Sequence, residues 1–240
     1  MLPENQFRFK AFTLDQDDYV MKVNTDAVLL GAWSDAMFKK RALDIGTGTG
    51  VIALMLAQRH PELAVDAIDI EPAAAVLALQ NFSKSPWESR LMSYGVSVQE
   101  FALTTGFSYD LIVSNPPFFT GGTLSSHEHK SKVRHTVKLP HADLLHSVRK
   151  LLTSDGHFDV VLPNVEGIRF AEIAEKYQLY IHRLIEINPT PDKPVERLLM
   201  RFGKNKVIEK RESAVLLNTP KDKDFTDWYR NLTKDFYLFL

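Results

Sequence analysis

Two short stretches of this 240-residue chain combine residue types that could do chemistry. The first is VSNPPFF, residues 113–119. An apolar run from Tyr109 to Val113 reads as a buried strand, and it stops at Asn115 followed by Pro116 and Pro117. Tandem prolines suit neither a helix interior nor a central strand. They pin the backbone and leave carbonyl oxygens free to accept. The asparagine adds a side-chain carbonyl beside them. Two such acceptors can hold both N–H bonds of a planar amino group and orient its nitrogen. Such a nitrogen is a poor nucleophile because its lone pair is delocalised. Phe118 or Phe119 can stack on a planar ring, a contact worth about 1–3 kcal/mol per base. The plainer reading is a strand-ending turn followed by core phenylalanines.

The second stretch, ALDIGTGTG at 42–50, ends a strand and opens a helix with Gly46, Gly48 and Gly50 in alternation. Glycines permit a tight turn and close approach of a ligand, and a helix start presents free N–H groups. A dinucleotide fingerprint has the spacing G-x-G-x-x-G for a pyrophosphate. Here the spacing is G-x-G-x-G, and Asp44 lies two residues before the first glycine. A carboxylate there would repel a diphosphate and suit a cation such as the ammonium of a methionine moiety. Asp69 closes the next strand, in AIDIEP, where it can accept from both hydroxyls of a ribose. The pair favours S-adenosylmethionine over NAD. Ser97 and Val98 are candidates for the adenine ring. Glu71, a rival for the ribose, fits better as a cap on the following helix.

These residues need a scaffold. Apolar runs and helical periodicities alternate from Arg41 onward: strands over 41–46, 64–70, 91–98, 109–114, 156–162, 180–187 and 197–202, and helices over 50–60, 72–83, 141–152 and 165–177. Alternation of this length predicts βαβ units and an α/β fold, a Rossmann-like, mostly parallel sheet of seven strands with helices on both faces. The last two strands lack an intervening helix and should pair antiparallel. Residues 1–40 read as an N-terminal extension with a helix near 26–38. Residues 41–240 form the main domain, and the terminal stretch from Asp224 reads as a short helix packing back.

Composition narrows the chemistry. The chain has no cysteine, which removes disulfides, thiolate metal sites and cysteine nucleophiles. Lys and Arg number 29 against 30 Asp and Glu, for a net charge of −1, so the whole chain is no polyanion binder. Basic residues do cluster in the window 127–150, with six Lys/Arg against two Asp/Glu. Lys130, Lys132, Arg134 and His135 lie there and could meet nucleic-acid phosphate. His127, Glu128 and His129 lack further ligands, so no metal is expected. No membrane span and no signal-peptide core are visible in the sequence, which points to the cytoplasm. No protein partner is implied, and a monomer is the default expectation.

FRFKAFTLDQDDYVMKVNTDAVLLGAW at 7–33, the glycine stretch, NPPFF, RHT at 134–136, INPTPDKPVERLLMRF and DFYLFL together resemble the bacterial valine-tRNA adenine-N6 methyltransferases. The resemblance spans nearly the whole chain. MKVNTDAVLLGAW is its most distinctive part. It implies a class I S-adenosylmethionine-dependent methyltransferase acting on adenine-37, beside the anticodon of a valine tRNA. It also implies that Lys22, Val23, Thr25 and Asp26 belong to the segment closing over cofactor and active site, with Lys22 and Thr25 as cofactor contacts. Many methyltransferases carry Asp where Ser97 falls, which leaves the adenine contact open. The alternatives are a protein glutamine-N5 methyltransferase of the release-factor type, which shares the NPPF tetrapeptide, and a non-catalytic tRNA-binding protein.

Overall fold

A computed structural model of the chain describes residues 5–117, 139–220 and 224–238. Strands β1 (Gln6–Arg8) and β2 (Thr13–Asp15) form an antiparallel hairpin, followed by helix α1 (Thr25–Trp33). The main sheet then builds through β3 (Arg41–Ile45), α2 (Val51–Arg59), β4 (Ala64–Asp69), α3 (Pro72–Ser83), β5 (Leu91–Gly95), α4 (Val98–Thr104) and β6 (Tyr109–Ser114). It continues through α5 (His141–Leu151), β7 (Leu152–Pro163), α6 (Asn164–Ala174), β8 (Tyr180–Asn188), β9 (Arg197–Gly203), β10 (Lys210–Val215) and α7 (Asp227–Thr233).

The strand order is β10-β8-β9-β7-β6-β3-β4-β5, and only β9 runs against its neighbours. The expected α/β architecture with an antiparallel late strand is therefore present. The sheet has eight strands instead of the expected seven. The addition is β10, which joins the edge parallel to β8. Its sequence, KRESAV, opens with three charged residues and is exposed at three of its six positions, as suits an edge strand, and carries no apolar run to announce it. The strand expected over 91–98 ends at Gly95. The chain then turns into α4, whose start is capped by the Ser97 side chain accepting from the Glu100 N–H.

Helices α1, α2, α3 and α7 share one hydrophobic cluster with the hairpin, and α4, α5 and α6 share the other. The central strands β3 and β6 are apolar on both sides because both faces are covered. The hairpin joins the first cluster through Phe9, Phe12 and Leu14, all buried. Asn81 on α3 fastens it there. Its buried amide accepts from Asp15 N–H at 2.9 Å and donates to Asp15 O at 3.1 Å and Thr49 O at 2.9 Å. Residues 5–40 thus pack as part of the main body, with their hairpin bonded to the helix that follows β4.

Candidate active site

The carboxyl ends of β3, β4 and β6 converge on a cleft of about 450 Å³. That volume is ordinary for a small-molecule site, and its position is where open parallel sheets bind ligands. The glycine loop forms its floor. Gly46, Gly48 and Gly50 all have positive φ, at 74°, 55° and 82°. At Gly50 a Cβ would also lie 2.5 Å from Phe82, so helix α2 starts in close contact with α3 only because that side chain is missing. At Gly46 a Cβ would meet nothing within 4 Å, which leaves the backbone open to a ligand.

Asp69 organises the loop from the next strand. Its Oδ2 accepts the Gly48 N–H at 2.9 Å and its Oδ1 accepts the Glu71 N–H at 3.0 Å. Burial raises its pKa; these two N–H donors hold it down, and the Glu71 charge adds to the rise. Each oxygen keeps a lone pair for a hydroxyl donor. Glu71 occupies the cap position of α3, yet its side chain makes no capping bond, and it lines the cleft instead.

Asp44 lies beneath the loop, completely buried, and is not itself on the cleft wall. Its Oδ2 accepts the Thr47 hydroxyl at 2.7 Å, while Oδ1 has no hydrogen-bond partner among the described residues. Burial pushes its pKa up to about 7 and the Asp69 charge adds to this, against the Thr47 hydroxyl and the nearby Ala53 N–H. A buried carboxylate with an unmet oxygen is the natural counter-ion for a cationic ligand group.

Strand β6 delivers Asn115. Ser114 pairs with Ile45 across the sheet, and its hydroxyl donates to Ile45 O at 2.9 Å. The next residues off the two strands are Asn115 and Gly46, so the acceptor motif and the glycine loop leave the sheet side by side. Asn115 and Pro117 line the cleft, and Pro116 is buried. The Asn115 side chain makes no hydrogen bond within the described residues. Phe118, Phe119, Lys130, Lys132, Arg134 and His135 lie outside the described residues, as do His127–His129.

Ser97 and Val98 line the cleft beside Val96, and Ser97 also caps α4. Lys22 lines it and pairs with Asp18 at 2.9 Å. Thr25 is exposed and is not among the lining residues, and Asp26 bonds Arg197 Nε at 2.9 Å. The cap of α1 is Asn24, whose side chain accepts from Ala27 N–H at 2.9 Å, and Thr25 is the helix's first residue. Tyr19, Val20, Met21 and Asn24 also line the cleft. No motif in the sequence singles them out, except the asparagine as a cap before an apolar helix. Among the described residues no group of acidic, histidine or cysteine side chains could hold a metal ion, and no helix could cross a membrane.

The donor set fits a ligand with an ammonium group, vicinal hydroxyls and a planar ring. Residues 22–178 match the family model described as "Methyltransferase small domain". A protein of Trichodesmium erythraeum named tRNA1(Val) (adenine(37)-N6)-methyltransferase is 41% identical over 236 residues, covering 98% of each chain. Proteins with that name from Pectobacterium carotovorum and Parabacteroides distasonis are 37% and 40% identical, covering 100% and 97% of this chain and 96% and 97% of theirs. In fold, the chain resembles a predicted O-methyltransferase from Agrobacterium tumefaciens, with a TM-score of 0.68 at 15% identity over 88% of this chain and 96% of that one. With matches of this length and identity, the chain belongs to the tRNA1(Val) (adenine(37)-N6)-methyltransferase family.

Proposed function

We propose that this chain methylates the N6 amino group of adenine-37 in a valine tRNA, using S-adenosylmethionine as methyl donor. The observation that carries the reading is the register that brings Asn115 out of the sheet beside Gly46, in a chain about 40% identical to relatives of that name over nearly its whole length. It sets an acceptor motif for an amino group next to a loop suited to the donor.

S-adenosylmethionine supplies an electrophilic methyl carbon on a sulfonium. The chain's own residues do the rest. Asp44 takes the ammonium as counter-ion beneath the loop, Asp69 takes the ribose hydroxyls, and Val98 walls the adenine. Lys22 closes the cleft from the N-terminal segment, which we infer to be an extension of the domain over 41–240. The target adenine leaves its stack at a cost of a few kcal/mol. Asn115 and Pro116 accept its two N–H bonds, Pro117 fixes that carbonyl, and Phe118, next along the chain, stacks on the base. Held so, the amino nitrogen would face the methyl carbon that S-adenosylmethionine supplies, and its surplus N–H proton would pass to solvent. Rate enhancement then comes from positioning and preorganised acceptors. The cations from Lys130 to His135 meet tRNA phosphates in this reading. It also takes the enzyme as a cytoplasmic monomer that needs no metal.

The test is to mix purified protein with methyl-labelled S-adenosylmethionine and valine tRNA lacking its modifications, digest the RNA, and identify the labelled nucleoside. N6-methyladenosine at position 37 is the expected product. Label on a release factor with none on RNA would overturn the reading.

A further inference from the structure

Three large apolar or aromatic side chains among the described residues are at least nine-tenths exposed: Ile208 at 97%, Phe38 at 92% and Tyr19 at 90%. Single exposed side chains of this kind are ordinary. Tyr19 differs from the other two because it lines the cleft. Its ring packs against no other ring among the described residues.

The backbone beneath it is tied down on both sides. Asp17 Oδ1 accepts the Tyr19 N–H at 2.9 Å and Asp17 O accepts the Val20 N–H at 3.2 Å. Gln16 Oε1 accepts the Val23 N–H at 2.8 Å. Val20, only 7% exposed, seats this segment over the glycine loop, its Cγ1 lying 3.7 Å from where a Gly48 Cβ would be. An aromatic ring on an anchored backbone, with its faces left to solvent at a ligand cleft, is a prepared stacking surface. Ordering it on binding costs little, since only two side-chain torsions remain free.

We propose that Tyr19 stacks on a tRNA base neighbouring the methylated adenine. This rests on the functional reading above and extends it from the target base to the next one. Withdrawing the adenine from its stack leaves a neighbouring base with one bare face. A ring at the outer rim can cover that face, whereas a ring serving the cofactor would be turned inward and lose its exposure. The contact tolerates any base because every base has a face to offer.

Three variants separate the possibilities: Tyr19→Ala, Tyr19→Leu and Tyr19→Phe, each checked for an unchanged Tm. Steady-state methylation of valine tRNA gives KM and kcat, and calorimetry with S-adenosylhomocysteine gives cofactor-site affinity. Tyr19→Ala should raise KM for tRNA about tenfold or more, with a much smaller fall in kcat. Tyr19→Phe should behave as wild type, and Tyr19→Leu should fall close to Tyr19→Ala. Cofactor-site affinity should be the same in all. An unchanged KM in Tyr19→Ala, full activity in Tyr19→Leu, or a loss of cofactor-site affinity would each overturn the proposal while leaving the functional reading standing. A wild-type protein that methylates no tRNA would overturn both.

Discussion

Asp44 and Asp159 are both fully withdrawn from solvent, in two regions of the same sheet. On β7, Asp159 faces Arg201 of β9 in direct register and receives both ends of its guanidinium, at 2.8 and 2.7 Å. The Trp33 ring lies 5.2 Å from that guanidinium and closes the pair off. Burial alone would lower the pKa of Arg201, but the Asp159 charge and hydrogen bonds raise it overall. At the end of β3, Asp44 has the Thr47 hydroxyl on one oxygen and, among the described residues, no hydrogen-bond partner on the other. Both carboxylates bear the cost of desolvation. One is compensated by a charged partner, and the other keeps an oxygen unmet among the described residues. Burial by itself does not distinguish a structural carboxylate from a functional one; the partner set does.

The largest expected effect lies on the structural side. Asp159→Ala leaves Arg201 buried without its partner, which should cost about 3–5 kcal/mol and lower Tm by roughly 10 °C. Cofactor affinity, measured on the protein that remains folded, should be nearly unchanged. A large fall in affinity at constant Tm would erase the contrast. In the cleft, Asn115→Ala should reduce kcat for tRNA methylation by roughly a hundredfold, as loss of one preorganised polar contact does, with Tm unmoved because the side chain supports nothing else in the described structure. Near-wild-type turnover in a discontinuous methylation assay would remove Asn115 from the chemistry.

Asp44→Asn sharpens the comparison further. It should weaken S-adenosylmethionine binding by calorimetry about thirtyfold, as losing one member of a buried charge pair does. It should raise the Tm of the ligand-free protein at pH 8, opposite in sign to Asp159→Ala. The folded state binds the Asp44 proton more tightly than the unfolded chain. The group's contribution to stability is therefore greatest below about pH 4 and is lost as pH rises to about 7. The amide variant should lack that loss. Asn81→Ala probes a neutral buried group that is fully used. It removes three hydrogen bonds and should cost about 2 kcal/mol in chemical denaturation. A cost near zero would mean that the hairpin is held by its phenylalanines alone.

The smallest effect is on pH dependence. With a pKa of about 7 for Asp44 and an amino pKa of about 8 for the ligand, affinity for the cationic amino acid end should rise roughly sixfold between pH 6 and pH 7.5. The rise should vanish in Asp44→Asn. A wild-type curve flat over that range would mean that Asp44 stays ionised without the ligand.

Much of the scaffold was legible in the sequence because its strands are buried on both faces and its helices carry plain periodicity. Val113 to Pro117 and Ile45 to Gly50 could be read as strand ends followed by chemistry, and the register of β3 with β6 brings them together. The elements that escaped are those whose pattern is short or polar. β1 and β2 have three residues each, α4 has seven, and β10 opens with three charged residues and has little apolar content. Within the site, residue identity singled out Asp44 and Asp69 but could not give the depth of Asp44. By residue type Thr25 could cap a helix from Asp26, whereas Asn24 caps one from Thr25, since both types cap well. Tyr19 carried no sequence signal, because its distinction is one of exposure and place.

The hairpin has a second clasp, made by residues far along the chain. Lys10 Nζ bonds the carbonyl of Lys234, 224 positions away, and Lys10 N–H bonds Phe236 O at 2.8 Å. Phe9 stacks on Tyr237 with centroids 5.9 Å apart. The hairpin is therefore held at two points far apart in sequence, Asn81 on α3 and the stretch 234–237. Losing the second point would leave the hairpin anchored through α3 alone, so a change at residues 234–237 is felt at the segment that walls the cleft.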